Sequence, residues 1–278
     1  MTWINAVLRV VFDAALAPFA GSSPWVGVTL VSLLCATGML WIFKRTSNQA
    51  ALAAVKSRIH AGLFEIRLFN DDLPAIFRAQ TQILKANTKY LWHSLPPMIW
   101  VIMPLAFVFA QLQFHYGYVG LEPGESALLT LRFEEGSEAA SGGAKPDVDL
   151  TLPEGVALEA GPVWAPALRE LTWRIGLREA GDHEAVVALD GTEIRKEIRA
   201  TDRLVRLSPL KVAPGLLDQF LYPAEDPISG APSVEALKVS YQSRLLTFFG
   251  WEMPWWLAFF ILVIAFAFAL RNPMGVTI

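Results

Sequence analysis

The chain has 278 residues, 54% hydrophobic and 18% charged, where a soluble domain carries roughly 25% charge. The charge is missing from a few long apolar runs, which leaves room for one modest globular domain. The net charge of −3 conceals a basic block, residues 44–94, with eight Lys/Arg against three Asp/Glu, and an acidic block, residues 117–250, with thirteen against twenty-one. The basic block is enclosed by apolar runs, which excludes a nucleic-acid surface, so no DNA partner is expected. The lone Cys35 excludes an intramolecular disulfide and reads as a small packing residue.

Residues 1–20 read as an amphipathic helix. Thr2, Asn5, Arg9 and Asp13 recur at spacings of three and four and form one polar face, while Trp3, Ile4, Val7, Val10, Val11 and Ala14 cover the other. Such a helix suits the outer surface of a bilayer; the alternative is a packing helix with no membrane role. Asp13 interrupts the apolar stretch, and only Arg9 precedes it, which argues against a signal peptide.

Residues 25–43 form the first apolar run. It carries no charge, has Trp25 and Trp41 near its ends, and is followed at once by Lys44 and Arg45. This pattern predicts a transmembrane helix. Residues 96–114 predict a second span, with a kink at Pro104. Residues 254–270 predict a third, closed by Arg271. The excess of positive charge places residues 44–94 and the tail 271–278 in the cytoplasm, and the N-terminus and residues 117–250 outside it. The expected location is the inner membrane, with the acidic block in the periplasm and the lipid bilayer as the first partner.

Residues 44–94 read as an antiparallel helical hairpin. In its first arm Leu52, Val55, Ile59, Gly62, Ile66 and Phe69 follow heptad spacing, a narrow seam suited to a coiled-coil partner. The turn is expected at residues 70–74, with Asp72 capping the second arm. In that arm Gln80 and Asn87 interrupt a seam of Ile76, Phe77, Ile83, Leu84 and Leu91. Leu52, Val55, Ile59, Ile66 and Phe69 are the candidate partner-docking residues; a plain rigid spacer is the alternative.

Residues 117–250 switch to strand-like alternation in 127–133, 148–152, 171–177, 184–189, 193–198 and 204–212. Asp190-Gly191 is a hairpin signal, and Gly136–Pro146 reads as a flexible loop. Short strands with frequent turns predict an all-β, immunoglobulin-like sandwich with Trp164 and Trp173 as core candidates. No catalytic constellation emerges. His183 has neighbouring acids but no second His or Cys to complete a metal site, and His60 and His93 lack ligand spacing. No enzymatic activity and no cofactor are expected.

The order of parts is an external amphipathic helix, a span, a cytoplasmic hairpin, a span returning outward, and a third span. With the stretches Ile42-Phe43-Lys44-Arg45-Thr46-Ser47-Asn48-Gln49 and Leu63-Phe64-Glu65-Ile66-Arg67-Leu68-Phe69, it resembles the core of the Oxa/YidC-type membrane protein insertase superfamily, in a small three-span bacterial form. The resemblance covers residues 1–115 and 251–278. It implies three spans around a thinned, polar-lined groove, with Thr29, Ser32 and Gln111 as the available groove groups, and a hairpin that recruits a nascent chain or ribosome. Two features differ. Many members carry a positive residue in the groove, whereas no Lys or Arg lies inside these spans, and the loop that here holds a whole domain is usually short. The alternative function is a non-catalytic structural or accessory subunit, docked on a membrane protein partner.

Overall fold

The computed structural model describes residues 2–69, 71–137 and 144–276. Asn70 of the expected turn, residues 138–143 of the expected Gly136–Pro146 loop, and the last two residues of the tail lie outside the described residues. The helices are α1 (Thr2–Leu16), α2 (Pro24–Thr46), α3 (Gln49–Leu68), α4 (Leu73–Tyr116), α5 (Leu216–Leu221) and α6 (Trp255–Leu270). The strands are β1 (Tyr118–Val119), β2 (Ser126–Phe133), β3 (Asp149–Thr151), β4 (Val156–Ala165), β5 (Glu170–Leu177) and β6 (Gly181–Leu189). They continue with β7 (Thr192–Ala200), β8 (Leu210–Val212), β9 (Val234–Val239), β10 (Gln242–Ser243), β11 (Leu245–Phe248) and β12 (Trp251–Pro254). The chain divides into two compact units, Met1–Gly27 with Val108–Leu257, and Val28–Phe107 with Ala258–Ile278.

The second unit is helical. On α2, the residues Val28, Ser32, Ala36 and Leu40 recur every fourth position and are all buried. Ser32 Oγ donates to the carbonyl of Phe259 on α6 at 3.4 Å. Small side chains at Ser32 and Ala36 permit this close approach. One turn further along the same row, Lys44 Nζ donates to the carbonyl of Met274 at 2.6 Å, just beyond α6. The Asn48 side chain caps α3 by accepting from Ala51 N–H at 3.0 Å, and Asp72 accepts from Ala75 N–H at 3.2 Å at the start of α4.

Among the described residues two helices, α2 and α4, are long and apolar enough to cross a membrane. The third expected span, α6, has 16 residues and rises about 24 Å, less than the ~30 Å of a hydrocarbon core. The second hairpin arm and the second expected span form one helix: α4 runs through 44 residues, past Pro96, Pro97 and Pro104. Each proline removes one backbone donor, but the remaining hydrogen bonds of adjoining turns keep the helix continuous.

The first unit is built on two antiparallel sheets, ordered β4-β5-β2-β9-β8 and β3-β6-β7. One hydrophobic core draws on both. Alternation dictates the buried rows: Ala127, Leu129, Leu131 and Phe133 on β2, and Leu171, Trp173, Ile175 and Leu177 on β5. Trp173 lies inside the core, and half-buried Trp164 packs on its edge, with its ring 5.7 Å from that of Phe133 in a T-shaped pair. Asp190 (φ 49°) and Gly191 (φ 76°) make the two-residue turn between β6 and β7. Both central residues have positive φ, as a tight hairpin turn of this hand requires.

Three elements depart from the alternation pattern. β4 carries Gly161-Pro162 and irregular register against β5, and β9 pairs with β2 across a bulge at Arg132/Phe133. Bulges break strict period two and hide such strands from a pattern reading. Of the expected strand 204–212, only Leu210–Val212 pairs in a sheet. The preceding backbone is used otherwise: Leu204 N–H donates to Ala20 O at 2.9 Å, and Leu207 N–H to Phe114 O at 2.8 Å.

Candidate functional site

The polar face of α1 turns towards the β-rich unit. Asn5 is buried, and its Nδ2 donates to Gln219 O at 2.7 Å. Arg9 pairs with Asp226 at 2.5 Å and reaches Ala224 O at 3.5 Å. Asp13 accepts from His115 Nε2 at 3.0 Å and forms an ion pair with Arg206 Nη2 at 3.1 Å. Burial opposes ionisation of Asp13, but the His115 hydrogen bond and the charges of Arg206, His115 and Arg199 outweigh it and hold the carboxyl below its ordinary value. The apolar face of α1 is left outward: Trp3 is 70% and Val10 69% exposed. A soluble helix places these faces the other way round.

Behind α1, β7 places Lys196 on its inward row, between Ile194 and Ile198. Its ammonium is fully buried and pairs with Glu225, Ser208 Oγ and Ser208 O. Burial pushes this lysine below its ordinary range, against the pull of Glu225. A cleft of about 410 Å³ lies nearby, lined by Arg9, Glu197, Arg206, Lys211, Glu225 and Asp226 among others. Its charges largely cancel in pairs, Arg9 with Asp226 and Arg195 with Glu184. Among the described residues no group of three His, Cys, Asp or Glu is arranged to hold a metal ion.

Gln111 lies on α4, one turn before His115. It is 2% exposed, and its Oε1 has no hydrogen-bond partner among the described residues. The neighbouring Gln113 differs: its Oε1 accepts from Trp255 Nε1 at 2.9 Å. At the same end of the helix, Gly27 of α2 faces the Tyr116 hydroxyl so closely that a Cβ would stand 1.9 Å from it.

Comparison with known protein families, curated proteins and solved structures finds no match. The site therefore rests on its own geometry.

Of the expected groove groups, Thr29 is half-buried, Ser32 is buried and bonded to Phe259, and Gln111 is buried with an open acceptor. Thr29 and Ser32 belong to one unit and Gln111 to the other. In the hairpin, Leu52 and Val55 are buried, Ile59 and Ile66 half-buried, and Phe69 exposed. This seam closes within the chain, for Gly62 rests against Ile83 and the carbonyl of Ala79 on α4. The inward row of α4 is Ile76, Ala79, Ile83 and Ala86, with Gln80 and Asn87 outside it and exposed. A second apolar surface faces outward, including Phe64, Leu68, Phe77, Leu84 and Trp92, each more than half exposed. His115, Arg206 and Lys196 escaped the sequence reading. Lys196 alone carried a signal, a charged residue in phase with the apolar row of a strand.

Proposed function

We propose that this protein is a non-enzymatic membrane insertase or membrane chaperone relative of the Oxa/YidC type. In this reading α2, α4 and α6 lie in the inner membrane, with α3 and the first part of α4 in the cytoplasm. The β-rich unit, an immunoglobulin-like sandwich, is held outside. The observation that carries the reading is Gln111. A buried amide oxygen without a partner costs about 1–3 kcal/mol, and in an apolar helix that cost marks a group kept for water or for a polar segment of a client. The inverted α1 supports the membrane setting, because its outward apolar face is stable only against lipid or protein.

The test is insertion of a short-tailed client into proteoliposomes. Gln111→Leu removes an unpaired polar group, so the variant should be as stable as the parent. Client insertion should nevertheless fall several-fold. Equal insertion with liposomes that lack the protein would end this reading.

The outward apolar residues of the hairpin favour a second reading, an accessory subunit whose arm docks on a membrane protein partner. Phe77→Ser with Leu84→Ser should then release the protein from a complex purified in mild detergent and leave client insertion unchanged.

A further inference from the structure

We infer that the β-rich unit rests on the bilayer surface through three elements, α1, α5 and the β11–β12 tip, and that their common ligand is the headgroup–acyl boundary of the outer leaflet. The inference builds on the membrane setting above and adds a contact surface outside the membrane helices.

The first observation is that α1 and α5 touch and that each exposes apolar side chains. Residues 219–226 wrap the polar side of α1, with Asn5 on Gln219 O and Arg9 on Ala224 O and Asp226. On α5, whose Gln219 carbonyl holds Asn5, Leu216 is 74% and Leu217 67% exposed. The acid of α5, Asp218, folds its carboxylate back over Gly215.

The second is continuity with the apolar helices. The chain leaves α1 and enters α2 at Pro24. The ring of Tyr222, which ends α5, lies 6.5 Å from Phe114 in the last turn of α4. Both short helices therefore sit at the ends of helices long enough to cross a membrane.

The third is the β11–β12 tip. Phe249 is 92% and Trp251 79% exposed, immediately before α6. Trp25, at the start of α2, donates its Nε1 to Thr247 O at 3.0 Å and packs its ring 5.4 Å from that of Phe248. Aromatic rings at helix ends favour the interface between headgroups and tails. A protein partner would have to match three separate apolar elements, whereas a lipid surface accepts them all.

The experiment uses the full chain in a Cys35→Ala background, in liposomes, with one environment-sensitive fluorophore per variant. Val10→Cys, Leu217→Cys and Phe249→Cys carry the label on the three elements, Ser229→Cys marks an exposed loop of the same unit, and Leu34→Cys marks the middle of α2 and is read with lipid brominated near its acyl end. Lipid brominated near its carbonyl should quench the first three labels by roughly half or more, as expected for groups lying about 5–10 Å into the boundary, and leave Ser229→Cys bright. An unquenched Leu217 label beside a quenched Leu34 label would overturn the inference and keep the membrane setting. No quenching at Leu34 would remove both. A blue-shifted Leu217 label that lipid does not quench would mean that protein covers the surface, which also overturns the inference.

Discussion

Asp13 and His115, 102 positions apart in the chain, meet in a 3.0 Å hydrogen bond that ties α1 to the end of α4. Arg206 closes the same carboxylate from the β-rich unit at 3.1 Å. Three distant segments thus share one anion. The carboxyl is held below its ordinary value of 3.8. A depressed carboxylate stabilises the fold above its unfolded value, and that contribution vanishes as pH falls through the folded one. Asp13→Asn should therefore melt at a lower temperature than the parent at neutral pH and converge with it as pH falls below 3.8. Melting temperature against pH in detergent measures this. Two parallel curves would show that Asp13 carries no such linkage.

The Lys196–Glu225 pair predicts an asymmetry. Glu225→Gln leaves a fully buried ammonium without its counter-charge, which should cost about 3–5 kcal/mol. Lys196→Met combined with Glu225→Gln removes both charges and should recover much of that loss. A double variant no more stable than Glu225→Gln would place the cost in packing around Glu225 instead.

The hairpin predicts a size rule at its crossing. A Cβ on Gly62 would lie 2.7 Å from Ile83 Cγ1, so Gly62→Ala should destabilise the arm by about 1–3 kcal/mol. Adding Ile83→Ala removes both Cγ1 and Cδ1, makes room and should restore part of the loss. Limited proteolysis of the arm in detergent reads both; equal resistance of Gly62→Ala and the parent would show that the crossing tolerates wider spacing.

The charge split predicts sidedness. Ser57 and Ser229 are both exposed. In a Cys35→Ala background, an impermeant thiol reagent applied to cells with a permeabilised outer membrane should label Ser229→Cys and spare Ser57→Cys. The opposite pattern would invert the topology.

Hydropathy and charge are properties of the chain in one dimension, and what depends on them could be read directly. The apolar helices α2 and α4, the two helical arms, the strands β2, β5, β6 and β7 and the Asp190-Gly191 turn are of that kind, because burial follows local periodicity there. The strands β4 and β9 escaped because bulges broke the period. The direction of α1 was beyond any pattern. Its two faces were plain in the sequence, but only the partners Gln219, Asp226, His115 and Arg206, all more than a hundred residues away, decide which face turns inward. The same holds for Gln111 and Lys196. Whether a polar atom in an apolar setting is satisfied depends on which distant group reaches it, and that is settled by tertiary packing alone.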